Sequence, residues 1–210
     1  MKRMNTRLLA QLGILVAIEI IFAVTPLGSL PIGPLVATLA HIPVIVAAIV
    51  LGTGAGTFMG FIFGLLSFLV WTFIPPSPFA FVFTPFYSMG EFSGNGWSLV
   101  ICFVPRILLG LFASLIYKGI CRFDRRGYAA CTISAVVATI LHSVLVLGGI
   151  YLFFGPQYAS ANGIGYDLLF GAMAVTLGTN TLLEAVIAAV VALAIAKVIP
   201  ALTRAKRNRS

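Results

Sequence analysis

Six stretches of this chain are long and apolar enough to cross a lipid bilayer, and that property limits its fold more than any other. A helix needs about 20 apolar residues to cross the hydrocarbon core. Such runs fall at roughly 9–26, 35–52, 55–74, 98–117, 129–154 and 178–200. Of 210 residues, 60% are hydrophobic and 9% charged, and the mean hydropathy is +1.11. Soluble domains do not have this balance. The expected fold is all-α: one polytopic transmembrane domain over 1–210, with six helices and little mass outside the lipid. The apolar run after Lys2, Arg3 and Arg7 is long enough to span and has no A-x-A exit, so it reads as a retained first helix. Only LGTGAG separates the second run from the third, which predicts a tight helical hairpin. The connections at 75–97 and 155–177 are long. The latter contains YDLLFGAMAVTLG, which reads as a short helix packed against the bundle.

Lysine and arginine collect in cytoplasmic segments. Here they cluster as Lys2, Arg3 and Arg7, then Lys118, Arg122, Arg125 and Arg126, then Lys197, Arg204, Lys206, Arg207 and Arg209. With six spans and both termini in the cytoplasm, twelve of the thirteen basic residues fall on one side. This bias accounts for the net charge of +8 without nucleic acid. Cys102, Cys121 and Cys131 have no metal-site spacing and form no even-numbered disulfide framework. The chain lacks HExxH, GxSxG and Walker A motifs. No cofactor or metal is expected, and any pumping draws on an ion gradient or on another subunit.

The thirteenth basic residue, Arg106, lies inside the fourth run. Ionisable groups at membrane depth point to function, and this chain has Glu19, Arg106 and Glu184, with His41 and His142. Counting about 1.5 Å per residue from the outer helix ends puts the first three and His41 about 6 to 12 Å deep, and His142 about 18 Å. Arg106 and Glu19 have similar depth and opposite charge, so a structural ion pair competes with ligand contact at Arg106. His41 is a ligand residue or a packing residue, and His142 reads as packing. Thr179 or Asn180 suits the N-cap of the sixth helix, with Glu184 one turn beyond.

The outer connections are rigid and aromatic. TPLGSLPIGPL, residues 25–35, is rich in proline and glycine. Residues 74–97 carry Phe79, Phe81, Phe83, Phe86, Tyr87, Phe92 and Trp97. Such a loop is a liability if exposed, so it reads as a lid over a cavity, with interfacial anchoring as the alternative. Gly52, Gly56, Gly60 and Gly64 form a flat stripe for close packing on the third helix, and Gly13 with Ala17 forms a second on the first.

The segments PIGPLVATLAHIPVIVAAIVLGTGAGTFMGFIFGLLSF, FVFTPF, GNGWSLVICFVPRILLG and TNTLLEAVIAA cover much of the chain. Together they resemble the substrate-binding S components of energy-coupling factor (ECF) vitamin transporters, most closely the pantothenate group. The resemblance implies capture of a vitamin from outside, beneath the loops joining helices one to two, three to four and five to six. It also implies docking on a transmembrane coupling protein driven by two cytoplasmic ATPases, in the plasma membrane of a prokaryote. Family members carry an A-x-x-x-A pair on the first helix for docking; Gly13 and Ala17 are the matching positions here. The expected ligand contacts are Thr38, His41, Phe83, Asn95, Trp97, Arg106, Asn180 and Glu184. Arg106 would hold a carboxylate, and Thr38, Asn95 and Asn180 would meet hydroxyls and an amide. Pro43 is expected to bend the second helix beside His41. Cobalamin, a stand-alone secondary transporter, a ligand-free structural subunit and an intramembrane enzyme using His41, Glu19 and Glu184 are the competing readings.

Overall fold

The computed structural model describes residues 6–32, 35–124 and 127–207. Lys2, Arg3, Arg125, Arg126 and Arg209 of the basic clusters, and Gly33 of the first connection, lie outside the described residues. The architecture is helical: α1 (Thr6–Val24), α2 (Ile42–Val50), α3 (Thr53–Phe73), α4 (Gly96–Ile120), α5 (Tyr128–Ala161), α6 (Tyr166–Thr176) and α7 (Leu182–Arg207). Among the described residues, five helical runs are long and apolar enough to span, the last being the continuous stretch Tyr166–Lys197.

Three expected spans differ from the structure: α5 runs on to Ala161, into the connection expected from 155, and two others differ more. The run at 35–52 is not one helix. Its first part is strand β2 (Leu35–Thr38), which pairs antiparallel with β1 (Ser29–Ile32), Ser29 opposite Thr38. Helix α2 has 9 residues, about 14 Å of rise against a hydrocarbon core of about 30 Å. Proline explains both features. Pro31 bars a helix through the connection, whereas Pro43 sits in the first turn of α2, where a missing N–H costs nothing. Pro43 therefore starts a helix instead of bending one. The last span begins earlier than 178. Helix α6 runs through a π turn (Leu177–Thr181) into α7, so Thr179 and Asn180 cap nothing. The hydroxyl of Thr179 instead donates back to the Val175 carbonyl at 2.8 Å.

The long aromatic connection folds onto the bundle. A 3-10 turn (Pro78–Val82) is capped by Ser77, and strands β3 (Ser88–Met89) and β4 (Phe92–Ser93) make a small hairpin. Phe81 is fully buried and packs 5.9 Å from Phe154 of α5 and 6.2 Å from Phe92. Phe81, Val82, Ile101, Ile150 and Phe154 form one core. A second, alanine-rich core joins α2, α3, α4, α5 and α7.

The most extensive helix contact is between α3 and α4. Three glycines of the predicted stripe face this contact. A Cβ on Gly60 would run into the Arg106 carbonyl, one on Gly64 into the Phe103 ring, and one on Gly56 into Ala48 and the Gly110 carbonyl. Gly52 is the exception: it precedes α3 at φ 94°, a left-handed turn that glycine adopts without steric cost. Gly60→Ala is expected to cost about 1–3 kcal/mol by forcing the backbones apart, seen as a lowered thermal-unfolding midpoint in detergent. Gly13→Ala, where the added methyl meets nothing within 4 Å, should leave that midpoint unchanged.

Candidate functional site

Between the bundle and the first connection lies a cavity of about 660 Å³, bordered by the end of α1, the β2–α2 turn, α3, Phe83, Arg106, α5 and the π turn. Six of the eight expected contact residues border it: Thr38, His41, Phe83, Arg106, Asn180 and Glu184. Asn95 and Trp97 do not. The Asn95 side chain accepts the Trp97 N–H at 2.9 Å, as half of a capping box that starts α4. The Trp97 indole stacks on Phe153 with centroids 4.1 Å apart.

The setting of Arg106 follows from its neighbour. Pro105 has no N–H, so the Ile101 carbonyl one turn back lacks its helical donor. Arg106 Nη1 donates to that carbonyl at 3.1 Å and to the Cys102 carbonyl at 2.8 Å. Its Nε donates to Ser67 Oγ of α3 at 3.2 Å. The guanidinium carbon lies 5.2 Å from the Phe63 ring centre and 5.4 Å from that of Phe83, distances suited to cation–π attraction. These contacts engage Nε and Nη1. Nη2 has no hydrogen-bond partner among the described residues, and Arg106 borders the cavity. Glu19 does not take that place: it is buried, and both its carboxylate oxygens lack a hydrogen-bond partner. Among the described residues no hydrogen bond joins Arg106 to Glu19, the alternative ion pair, although the two charges lie close enough to interact.

On the opposite side, Glu184 Oε1 accepts the backbone N–H of Thr38 at 2.9 Å. One bond thus joins the end of the β1–β2 hairpin to α7. The π turn widens the helix just before Glu184; Thr176, Asn180, Thr181 and Glu184 all border the cavity. Such turns recur at functional sites because they re-aim side chains. His41 is almost fully buried, with Nε2 unpartnered.

Sequence reasoning missed Phe63, Ser67, Trp71 and Thr181 as cavity residues, and gave His142 only a packing role. For Ser67 a signal was present. It lies three residues beyond Gly64 and seven beyond Gly60, on the helix face that the glycines press against α4.

Residues 7–196 match the family described as "ECF transporter, substrate-specific component". The chain is 36% identical to the pantothenic acid transporter PanT of Lactococcus lactis subsp. cremoris (strain MG1363). That alignment runs over 214 residues, covering 99% of this chain and 100% of that protein.

Glu184→Ala is expected to speed amide hydrogen exchange at Thr38 in the ligand-free protein. Glu184→Gln, which keeps a carbonyl acceptor, should retain most of the protection; mass-spectrometric exchange of the hairpin peptide reads both.

Proposed function

The chain belongs to the substrate-specific components of ECF transporters, and from that premise we propose that it binds pantothenate, with Arg106 holding the carboxylate. The observation that carries this reading is the half-used guanidinium. Nε is held by Ser67 and Nη1 by two carbonyls, and Nη2 has no partner among the described residues, in a side chain that borders the cavity. A guanidinium held in this way offers Nη2 to a carboxylate as a charge-assisted donor, and water exclusion strengthens the bond. Among the described residues no carboxylate is hydrogen-bonded to it; Glu19 lies near enough for its charge to be felt but makes no bond. The aromatic rings of Phe63, Trp71 and Phe83 give an apolar wall for the ligand's gem-dimethyl carbon. Thr38, His41, Asn180 and Glu184 supply polar groups for its hydroxyls. The PanT relative supports the same ligand. The cavity volume of about 660 Å³ lies within the ~300–1,000 Å³ typical of small-molecule sites. Cobalamin, the competing vitamin, is far larger and would need a wider cavity in which no single cation dominates.

In this account the protein lies in a prokaryotic plasma membrane with both termini in the cytoplasm. The β1–β2 hairpin and α2 together make one crossing, giving six. The clustering of lysine and arginine supports that orientation. The loaded subunit docks on a transmembrane coupling protein, and two cytoplasmic ATPases supply the energy; this chain hydrolyses nothing. Gly13 and Ala17 lie exposed on α1, a flat patch where another helix can approach closely. A stand-alone secondary transporter would instead take up vitamin without partners, in proportion to an ion gradient.

The test is equilibrium binding of labelled pantothenate and cobalamin to the purified chain. Saturable pantothenate binding is expected, and binding of cobalamin alone would overturn the ligand assignment. A hydrogen bond to a charged group contributes about 1.5–3 kcal/mol. Arg106→Ala should therefore weaken pantothenate binding by roughly 10- to 150-fold. Pro105→Ala should weaken it less, without loss of thermal stability, because the restored N–H competes with Nη1 for the Ile101 carbonyl.

A further inference from the structure

The histidine in the middle of α5 has no part in the account so far. His142 borders the cavity, yet its Nε2 is buried and has no hydrogen-bond partner. His41, on another wall of the same cavity, has the same deficit at its own Nε2. A buried ring nitrogen left unbonded is costly, and folded proteins keep few of them. A phenylalanine would fill the same space without that cost. No described residue supplies that partner, and at the cavity a ligand can.

The position of His142 narrows the identity of that partner. Helix α5 presents His142, Ser143, Val146 and Leu147 to the cavity, one face over two turns. The imidazole centroid lies 6.1 Å from that of Phe63. The Arg106 guanidinium carbon lies 5.2 Å from the same Phe63 ring. One aromatic ring therefore touches both the cation and the imidazole. A ligand whose carboxylate meets Arg106 has room to place its next polar group near His142, since both residues border the same cavity beside Phe63. In pantothenate that group is the amide, joined to the carboxylate by a short ethylene spacer.

We propose that His142 is a specificity-determining residue of the cavity, accepting through Nε2 the amide N–H of the ligand that Arg106 holds. The proposal rests on the pantothenate reading above. A structural water satisfying the ring on its own would leave ligand affinity indifferent to His142.

The test uses the purified full chain with two ligands: pantothenate, and its analogue with an ester oxygen in place of the amide N–H. Wild-type protein should bind the ester about 10-fold more weakly. His142→Phe should bind pantothenate about 10-fold more weakly than wild type and no longer distinguish the two. His142→Gln, which restores a carbonyl acceptor, should recover part of the preference. Thermal midpoints establish that the variants fold. If His142→Phe binds and discriminates like wild type, the proposal is overturned while the pantothenate reading stands. If neither variant folds, the wild-type comparison decides, and equal affinity for both ligands overturns the proposal. Absence of pantothenate binding by wild type overturns both readings together.

Discussion

The close approach of α3 and α4 is the contact on which the rest depends. Lipid gives helices no hydrophobic reason to associate, so van der Waals contact between small residues has to hold them. Gly56, Gly60 and Gly64 bring the α3 backbone against Gly110, Arg106 and Phe103 of α4. That separation sets Ser67 at 3.2 Å from Arg106 Nε and Phe63 beneath the guanidinium. A wider gap would leave the cation without its neutral partners, in a medium that offers none. The glycine stripe is therefore a packing device inside the bundle that also builds the floor of the cavity.

Proline and arginine then act as a unit. Removing one helical N–H at Pro105 frees a carbonyl, and the adjacent arginine folds back to fill it. The guanidinium is held in place by neutral hydrogen-bond acceptors, with no carboxylate bonded to it among the described residues, which leaves Nη2 for a ligand. The other side of the cavity follows a similar logic, with irregular backbone bordering the cavity at Thr38, Asn180 and Thr181. The β1–β2 hairpin and the π turn meet through the Thr38–Glu184 bond, so elements far apart in sequence close one wall.

Much of this was legible in the sequence, because membrane burial makes polarity conspicuous. Arg106, His41 and Glu184 stand out from apolar runs, and all three border the cavity. The spans of α1, α3, α4 and α5 follow from length and hydropathy alone. The second span failed because hydropathy does not distinguish an apolar hairpin from a helix; Pro31 was the better guide. The start of the last span failed because Thr179 and Asn180 look like a cap, whereas the helix passes through them as a π turn. Asn95 was read for ligand chemistry, but its side chain is committed to the first turn of α4. Phe63 carries no mark of its own in the sequence, and His142 stands out only as an ionisable group at membrane depth, which reads as packing. Only tertiary packing brings them beside Arg106.

The central claim is that this cavity selects an anion through Arg106. The most direct measurement compares the affinity of the purified wild-type chain for pantothenate and for its uncharged alcohol analogue, in which the carboxylate is reduced to a hydroxymethyl group. Pantothenate should bind saturably and at least ~10-fold more tightly, the loss expected from one charged hydrogen bond. Equal affinity for the two would contradict the account, because the carboxylate would then have no partner in the cavity.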